Sequence, residues 1–206
     1  MKKLTLLLLI IFSLTPLFAD NITFSGGSSR LVMKDSQKEV TLSGGAVVNT
    51  GSMSIKADTI TISGSDYNKI TCEGDIVIED SEKGFVIKTS SLYFNRESER
   101  IIISSYCEIS DSTNALIASS NSLKYYLKEE KLTLSVDVHL VKASDDDIMS
   151  CKAEQMEYDR SAQTLALLGG ACVYFKENDY KANAILVDLE TDEIKLEGNI
   201  RGNLNG

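Results

Sequence analysis

Six stretches of nine residues, each alternating apolar side chains with other residues, constrain the fold of this chain more than any other feature. We call them rows; they read VTLSGGAVV, ITCEGDIVI, IIISSYCEI, LTLSVDVHL, LALLGGACV and IKLEGNIRG, starting at Val40, Ile70, Ile101, Leu132, Leu165 and Ile194. A period of two sustained over nine residues predicts a β-strand with one apolar face. The starts lie 30, 31, 31, 33 and 29 residues apart, so the chain repeats a two-strand unit.

Each row is preceded by a second apolar segment, which we call the arm, and by a polar turn such as NRESE or DRSAQ of the kind that joins hairpins. Within every arm a small residue is followed by an apolar residue three positions later. These pairs are Ser28 and Leu31, Ala57 and Ile60, Thr89 and Leu92, Ser120 and Leu123, Ala153 and Met156, and Ala182 and Ile185. Because an odd step reverses the face of a strand, the pattern predicts a bulge or corner where each strand passes between two facing antiparallel sheets. The predicted fold is all-β.

A column of mostly small residues occupies the fifth position of the rows: Gly44, Gly74, Ser105, Val136, Gly169 and Gly198. Uninterrupted alternation predicts that this column faces inward between apolar neighbours. Two interpretations stay open. The small residues leave room for a bound chain, or they are local devices that permit a bulge and strong twist.

The N-terminus has the composition of an export signal. Lys2 and Lys3 precede an apolar run from Leu4 to Leu14 and the sequence TPLFAD, which predicts a signal peptide over residues 1–19 and a single mature domain over residues 20–206. If the segment is not cut it serves as a membrane anchor, although it is shorter than the roughly 20 residues of a spanning helix. The mature chain carries 19 basic against 30 acidic residues, a net charge of −11, which excludes a nucleic-acid partner.

Four cysteines and one histidine are the remaining candidates for chemistry. Cys72, Cys107, Cys151 and Cys172 would give two disulfides with three alternative connectivities, or act as small buried hydrophobes. Their spacing fits no CxxC metal site. His139 stands alone, two residues from Asp137. We therefore predict no catalytic residue, no metal and no cofactor.

The units of residues 153–173 (AEQMEYDRSAQTLALLGGACV) and 182–200 (ANAILVDLETDEIKLEGNI) resemble the OstA-like repeat of periplasmic lipopolysaccharide-transport proteins. The resemblance covers the chain from about Phe24 onward, and the second, fifth and sixth units match well. The first unit lacks the acidic partner after Ser28, and the third and fourth have Ser105 and Val136 in place of the glycine. The proteins that the chain resembles are LptA-like, with the membrane-anchored LptC-like proteins as a close alternative.

This resemblance implies a twisted, open β-jellyroll of two facing antiparallel sheets, built from about six strand-pair repeats, whose interior takes up the acyl chains of lipopolysaccharide. It implies a non-enzymatic periplasmic carrier or bridge whose partners are lipopolysaccharide or another acylated glycolipid, an inner-membrane ABC transporter complex, an outer-membrane β-barrel assembly and further copies stacked head to tail. The alternative from another class is a structural β-solenoid scaffold or surface protein. The candidate groove lining comprises Ile60, Ile62, Ile76, Ile78, Phe94, Ile101, Ile103, Leu123, Leu132, Leu134, Val136, Met156, Tyr158, Leu165, Leu167, Ile185, Val187, Ile194 and Leu196.

Overall fold

The computed structural model of the protein describes residues 22–34, 37–143 and 147–204, so the predicted signal peptide lies outside the described residues. The strands are β1 (Ile22–Ser25), β2 (Ser28–Lys34), β3 (Gln37–Thr50), β4 (Met53–Ser63), β5 (Lys69–Asp80), β6 (Phe85–Asn95), β7 (Arg100–Ile103), β8 (Cys107–Asp111), β9 (Leu116–Ser120), β10 (Ser122–Tyr126), β11 (Lys131–Ala143), β12 (Ile148–Asp159), β13 (Thr164–Phe175), β14 (Asn178–Asp188), β15 (Ile194–Glu197) and β16 (Arg201–Asn203). Within these ranges, no helix has the length and apolar character needed to cross a membrane.

The sixteen strands form one hydrogen-bonded sheet in which every described pair is antiparallel. Antiparallel hairpins are not the stacked parallel coils of a β-helix, so the β-solenoid alternative is wrong. The abundance of Val, Ile, Thr and Tyr in the strands suits a pleated surface with one buried face.

Each long strand bends near its middle, and the bend divides the sheet into two layers. Register shifts mark the bends, for example between Ser43 and Ala46 in β3 and between Leu168 and Ala171 in β13. Layer A comprises β2, β7, β10 and β15 with residues 37–43, 59–63, 69–73, 91–95, 131–135, 155–159, 164–168 and 184–188. Layer B comprises β1, β8, β9 and β16 with residues 46–50, 53–57, 76–80, 85–89, 138–143, 148–153, 171–175 and 178–182.

The inward side chains of the two layers pack into one apolar core. The ring of Phe85 in layer B, for instance, lies 5.1 Å from that of Tyr125 in layer A. The predicted all-β jellyroll of two facing antiparallel layers is therefore confirmed, as is the strand crossing that the odd step predicted in five of the six arms. In the first arm the prediction is wrong, because β2 pairs without a register shift within layer A and Leu31 is exposed.

Backbone with positive φ builds the bends of five of the six rows, all but the one at residues 104–106, and this corrects the prediction for the column. At a bend, two residues of a row stand opposite one residue of its arm, as Gly169 (φ 77°) and Gly170 (φ 60°) stand opposite Glu154. This left-handed pair turns the chain, so the column lies at the outer corner of the fold. Gly44, Gly169 and Gly198 are exposed. The prediction that the column faces inward is wrong, and the glycines serve the bend.

The four cysteine thiols are free. Cys72, Cys107 and Cys151 are buried, and burial raises the pKa of Cys72 and of Cys151 to about 12. Cys172 lies on the outer face and is only partly buried. Cys72, Cys107 and Cys151 thus pack as small buried hydrophobes, the second of the two alternatives that the sequence left open, whereas Cys172 does not.

Candidate functional site

The predicted groove lining lies between the two layers, with three exceptions. Ile194 and Leu196 are only partly buried, because β15 is an edge strand. Val136 is 55% exposed and has a φ of 67°, so its assignment to the lining is wrong. All the others are buried: Ile60, Ile62, Ile76, Ile78, Phe94, Ile101, Ile103, Leu123, Leu132, Leu134, Met156, Tyr158, Leu165, Leu167, Ile185 and Val187.

Side chains fill the interior that this lining surrounds. Ile60, Ile70 and Ile103, for example, have no exposed surface. A close-packed interior offers no preformed channel for a second molecule. Any guest between the layers must therefore displace side chains or move the layers apart.

The two layers are continuous at the bends. On the opposite side, the polar contacts between them in the described residues come from the hairpin turns and the strand ends beside those turns. We call this second side the seam. Along the seam, turns of layer A at residues 127–130, 160–163 and 189–193 contact turns of layer B at residues 81–84, 112–115 and 176–177. The turn of layer A at residues 96–99 lines one cavity with the turn at residues 81–84. The seam is the side on which the layers can separate without breaking a strand.

A buried ion pair closes the middle of the seam. Arg160, from a turn of layer A, donates Nε–H and Nη2–H to the two carboxylate oxygens of Asp111 in layer B, over 2.7 and 3.1 Å. Their side chains are 6% and 0% exposed. Arg160 also donates to the carbonyl oxygen of Lys83 (3.0 Å), and its guanidinium group lies 5.2 Å from the ring centre of Phe85. The hydroxyl of Tyr158 donates a further hydrogen bond to Asp111 (3.2 Å). Such two-pronged contacts are the strongest hydrogen bonds of side chains.

The pair keeps both partners charged despite their burial. Burial acts to raise the pKa of Asp111, but hydrogen bonds from Arg160 and Asn114 outweigh it, and the pKa lies below its ordinary value. Burial acts to lower the pKa of Arg160, and Asp111 outweighs it in the same way, so that pKa is raised. Burial and the neighbouring carboxylate together raise the pKa of Tyr158.

Polar contacts continue along the seam on either side of this pair. Lys83 in layer B donates to the carbonyl of Leu127 (3.2 Å) and to Glu130 (2.8 Å) in layer A. Three further contacts join the layers: Gln163 to Asn114 (3.0 Å), Lys142 to the carbonyl of Leu189 (3.1 Å) and Lys176 to Asp192 (3.0 Å). The half of the seam after Lys83 is thus closed by side chains.

In the half of the seam before these contacts, a cavity of about 450 Å³ separates the layers. We call it the mouth. Its lining comes from both layers and comprises Thr50, Gly51, Ser52, Met53, Asp80, Lys83, Phe94, Arg96, Glu99, Leu127 and Lys128.

Residues 27–193 match the profile of a family described as LptA/(LptD N-terminal domain) LPS transport protein. The chain belongs to this family. A search of curated proteins gave no significant match. Among solved structures, a chain described as LptH, the LptA homologous periplasmic component of the lipopolysaccharide transport device of Pseudomonas aeruginosa, aligns with 91% of this chain and 96% of its own at 12% identity and a TM-score of 0.31.

Sequence reasoning on this LPS transport domain missed the ion pair of the seam. Asp111 continues the inward alternation of Cys107 and Ile109, so the two-residue period of the strand could have predicted its burial. Arg160 belongs to the turn DRSAQ, which the sequence presents only as hairpin chemistry. Nothing in the sequence pairs it with a residue 49 positions earlier.

The described part of this LPS transport domain brings no three His, Cys, Asp or Glu side chains together in a way that would hold a metal ion. The ring of His139 lies 3.0 Å from the carboxylate of Asp137, and both side chains are largely exposed. This contact is an ordinary surface pair.

Proposed function

We propose that this protein is a non-enzymatic periplasmic carrier that shields the acyl chains of lipopolysaccharide or a similar glycolipid between layers A and B. The observation that carries the proposal is the apolar interior, which is continuous between the two layers. Among the described residues, side-chain contacts join these layers along the seam. Membership of an LPS transport family supports the choice of lipid.

The physical need for such a carrier is large. Leaving an acyl chain in water costs roughly 0.8 kcal/mol per methylene, or on the order of 11 kcal/mol for a chain of about 14 carbons. A lipid with several chains therefore crosses an aqueous space only inside an apolar cover. A carrier needs no catalytic group for this task.

In the proposed pathway, residues 20–206 form the exported domain, and lipid passes from an inner-membrane ABC transporter complex to an outer-membrane β-barrel assembly. Copies of the domain join head to tail, because the sheet ends in edge strands, β1 and β2 at one end and β15 and β16 at the other. Unpaired strand edges favour such association.

The LptC-like form of the same function differs at the N-terminus. In that form residues 1–19 are retained as an anchor in the inner membrane. Mass spectrometry of the native protein separates the two, since the carrier form begins near Asp20 and the anchored form retains the preceding segment.

Photo-crosslinking in cells tests the carrier function. Benzoylphenylalanine at Ile103, Leu134 or Leu167, whose side chains are at most 1% exposed, is expected to capture lipopolysaccharide. The matched control is Lys195, whose side chain is 63% exposed on the outer face of layer A. Capture from the control site alone, or from none of the four, would contradict the proposal.

A further inference from the structure

The mouth is formed by four turns, two from each layer. Layer B contributes Gly51 and Ser52 between β3 and β4, together with Asp80 and Lys83 around the next turn, and layer A contributes residues 96–99 and 127–128. The mouth is therefore a gap in the seam, between the same two layers that surround the apolar interior.

The floor of the mouth is apolar and continuous with the core. Met53 and Phe94 line the cavity and are also members of the buried core, 7% and 4% exposed. Leu127 lines the cavity and packs against that core. An acyl chain attached to a group held in the mouth thus meets an apolar surface that leads inward.

The rim of the mouth carries positive charge on a protein that is otherwise acidic. Lys83, Arg96 and Lys128 line it, against the carboxylates of Asp80 and Glu99. One oxygen of Asp80 already accepts the backbone N–H of Lys83 within its own turn (3.2 Å). The lining of the mouth thus holds three cations and two carboxylates, whereas the whole chain carries 21 basic and 30 acidic residues.

Contacts within the protein hold two of the three cations of the rim, Lys83 and Arg96. The ammonium group of Lys83 lies 2.8 Å from a carboxylate oxygen of Glu130, and this contact outweighs burial and raises the pKa of Lys83. Arg96 donates Nη1–H to the carbonyl oxygen of Tyr67 (3.4 Å). Arginine and lysine on a rigid rim are the usual partners of phosphate oxygens.

From this combination we propose that the mouth binds the phosphorylated headgroup of an acylated glycolipid, while its chains pass over Met53 and Phe94 into the interior. The proposal rests on the carrier function above and adds to it the headgroup class and the place of entry. Lys83, Arg96 and Lys128 would contact the phosphate oxygens.

Binding measurements with three probes test this site: bis-phosphorylated lipid A, the same lipid after enzymatic removal of its phosphates, and inorganic phosphate. For the wild-type protein we expect the phosphorylated lipid to bind at least about tenfold more tightly than the dephosphorylated lipid, from charge-assisted hydrogen bonds. Inorganic phosphate should bind far more weakly, because it lacks chains for the apolar floor.

The variant Lys83→Gln/Arg96→Gln/Lys128→Gln is expected to lose this preference while it binds the dephosphorylated lipid as the wild type does. Lys88→Gln/Lys152→Gln/Lys181→Gln, with three exposed lysines of the outer face of layer B, makes the same change in net charge and should keep the preference. Because Lys83 also closes the seam, Lys128→Gln alone provides a second variant, with a partial loss expected.

Two results would overturn the headgroup site and leave the carrier function standing: a preference that survives in the triple variant of the mouth, or an equal loss in the control variant. Binding of inorganic phosphate as tight as that of the lipid would identify an anion site unrelated to lipid and would also overturn the proposal. If the wild type binds neither lipid, the carrier function itself fails and the headgroup site with it.

Discussion

Asp111 and Arg160 show what a buried charge can do in a fold whose interior is otherwise apolar. Removing two ions from water is expensive, so a buried pair adds little stability compared with apolar residues of the same size. In the proposed carrier function the pair would suit a surface that opens, because water and ligand groups compete for ions more readily than for packed methyl groups. The position of the pair on the seam is therefore more informative about the proposed opening of the layers than about the stability of the fold.

The pH dependence of stability should reveal this pair. The pKa of Asp111 in the folded protein lies below its ordinary value, so the stability that its ionisation contributes is present above pH about 4. This stability is lost as the pH falls through the folded pKa, because protonation then favours the unfolded chain. We expect the free energy of unfolding, measured in urea, to fall as the pH drops below about 4.

The double variant Asp111→Leu/Arg160→Met serves as the control for that titration. It should unfold at a urea concentration close to the wild-type value at neutral pH and lose less stability in acid, since it lacks the titrating group. Asp111→Ala alone leaves Arg160 without its partner and should cost about 3–5 kcal/mol. An acid profile of the double variant identical to that of the wild type would show that Asp111 does not control it.

The bends are the feature that recurs at the scale of the strand. A left-handed backbone costs an L-residue about 1–2 kcal/mol, which explains the frequent glycine in the column. Val136 shows that one unit tolerates this cost with a β-branched side chain pointing into solvent. Close contact with the arm adds a second constraint in some units, since a Cβ atom at Gly169 would lie 2.9 Å from the Cβ atom of Glu154.

Substitutions at two neighbouring glycines can distinguish the cost of the left-handed backbone from the cost of close contact with the arm. Gly170→Ala adds a methyl group at φ 60° with no atom within 4 Å, and it should lower the free energy of unfolding by about 1–2 kcal/mol. Gly169→Ala adds the contact with Glu154 to a φ of 77° and should lower it further. Urea unfolding of both variants checks the order; equal losses would mean that backbone conformation alone selects the glycines.

The sequence predicted the existence and place of the bends and failed on their direction. The odd step from Ala153 to Met156 located the bend in β12 correctly, because face reversal follows from strand geometry alone. Alternation counted straight through the row placed Val136 inside. That count fails because two left-handed residues rotate the chain between one inward residue and the next. Conformation of this kind is set by pairing with the arm, which the pattern of one row does not contain.

At the scale of the whole molecule, continuous strands connect the two layers at the bends, and polar contacts connect them along the seam. The interior is filled by side chains, so in the proposed carrier function a lipid would enter by displacing side chains or by moving the layers apart. Breaking the bends would interrupt strands and their hydrogen bonds, whereas opening the seam exchanges a few polar contacts for contacts with water. Separating the layers at the seam therefore costs less free energy than separating them at the bends.

Locking the seam should consequently block the entry of lipid. Asn114 and Gln163, in opposite layers and joined by a 3.0 Å hydrogen bond, can be replaced by cysteine in a Cys172→Ser background and bridged by a short thiol-specific reagent that a reductant removes. We expect the bridged protein to take up a fluorescent acyl-chain probe much more slowly than the unbridged protein, and reduction to restore the rate.

The control pair, Ser28→Cys/Ser43→Cys, joins neighbouring strands within layer A and should leave uptake unchanged. Equal uptake by both bridged proteins would mean that the layers do not separate at this seam, and that lipid reaches the interior through the open ends of the sheet instead.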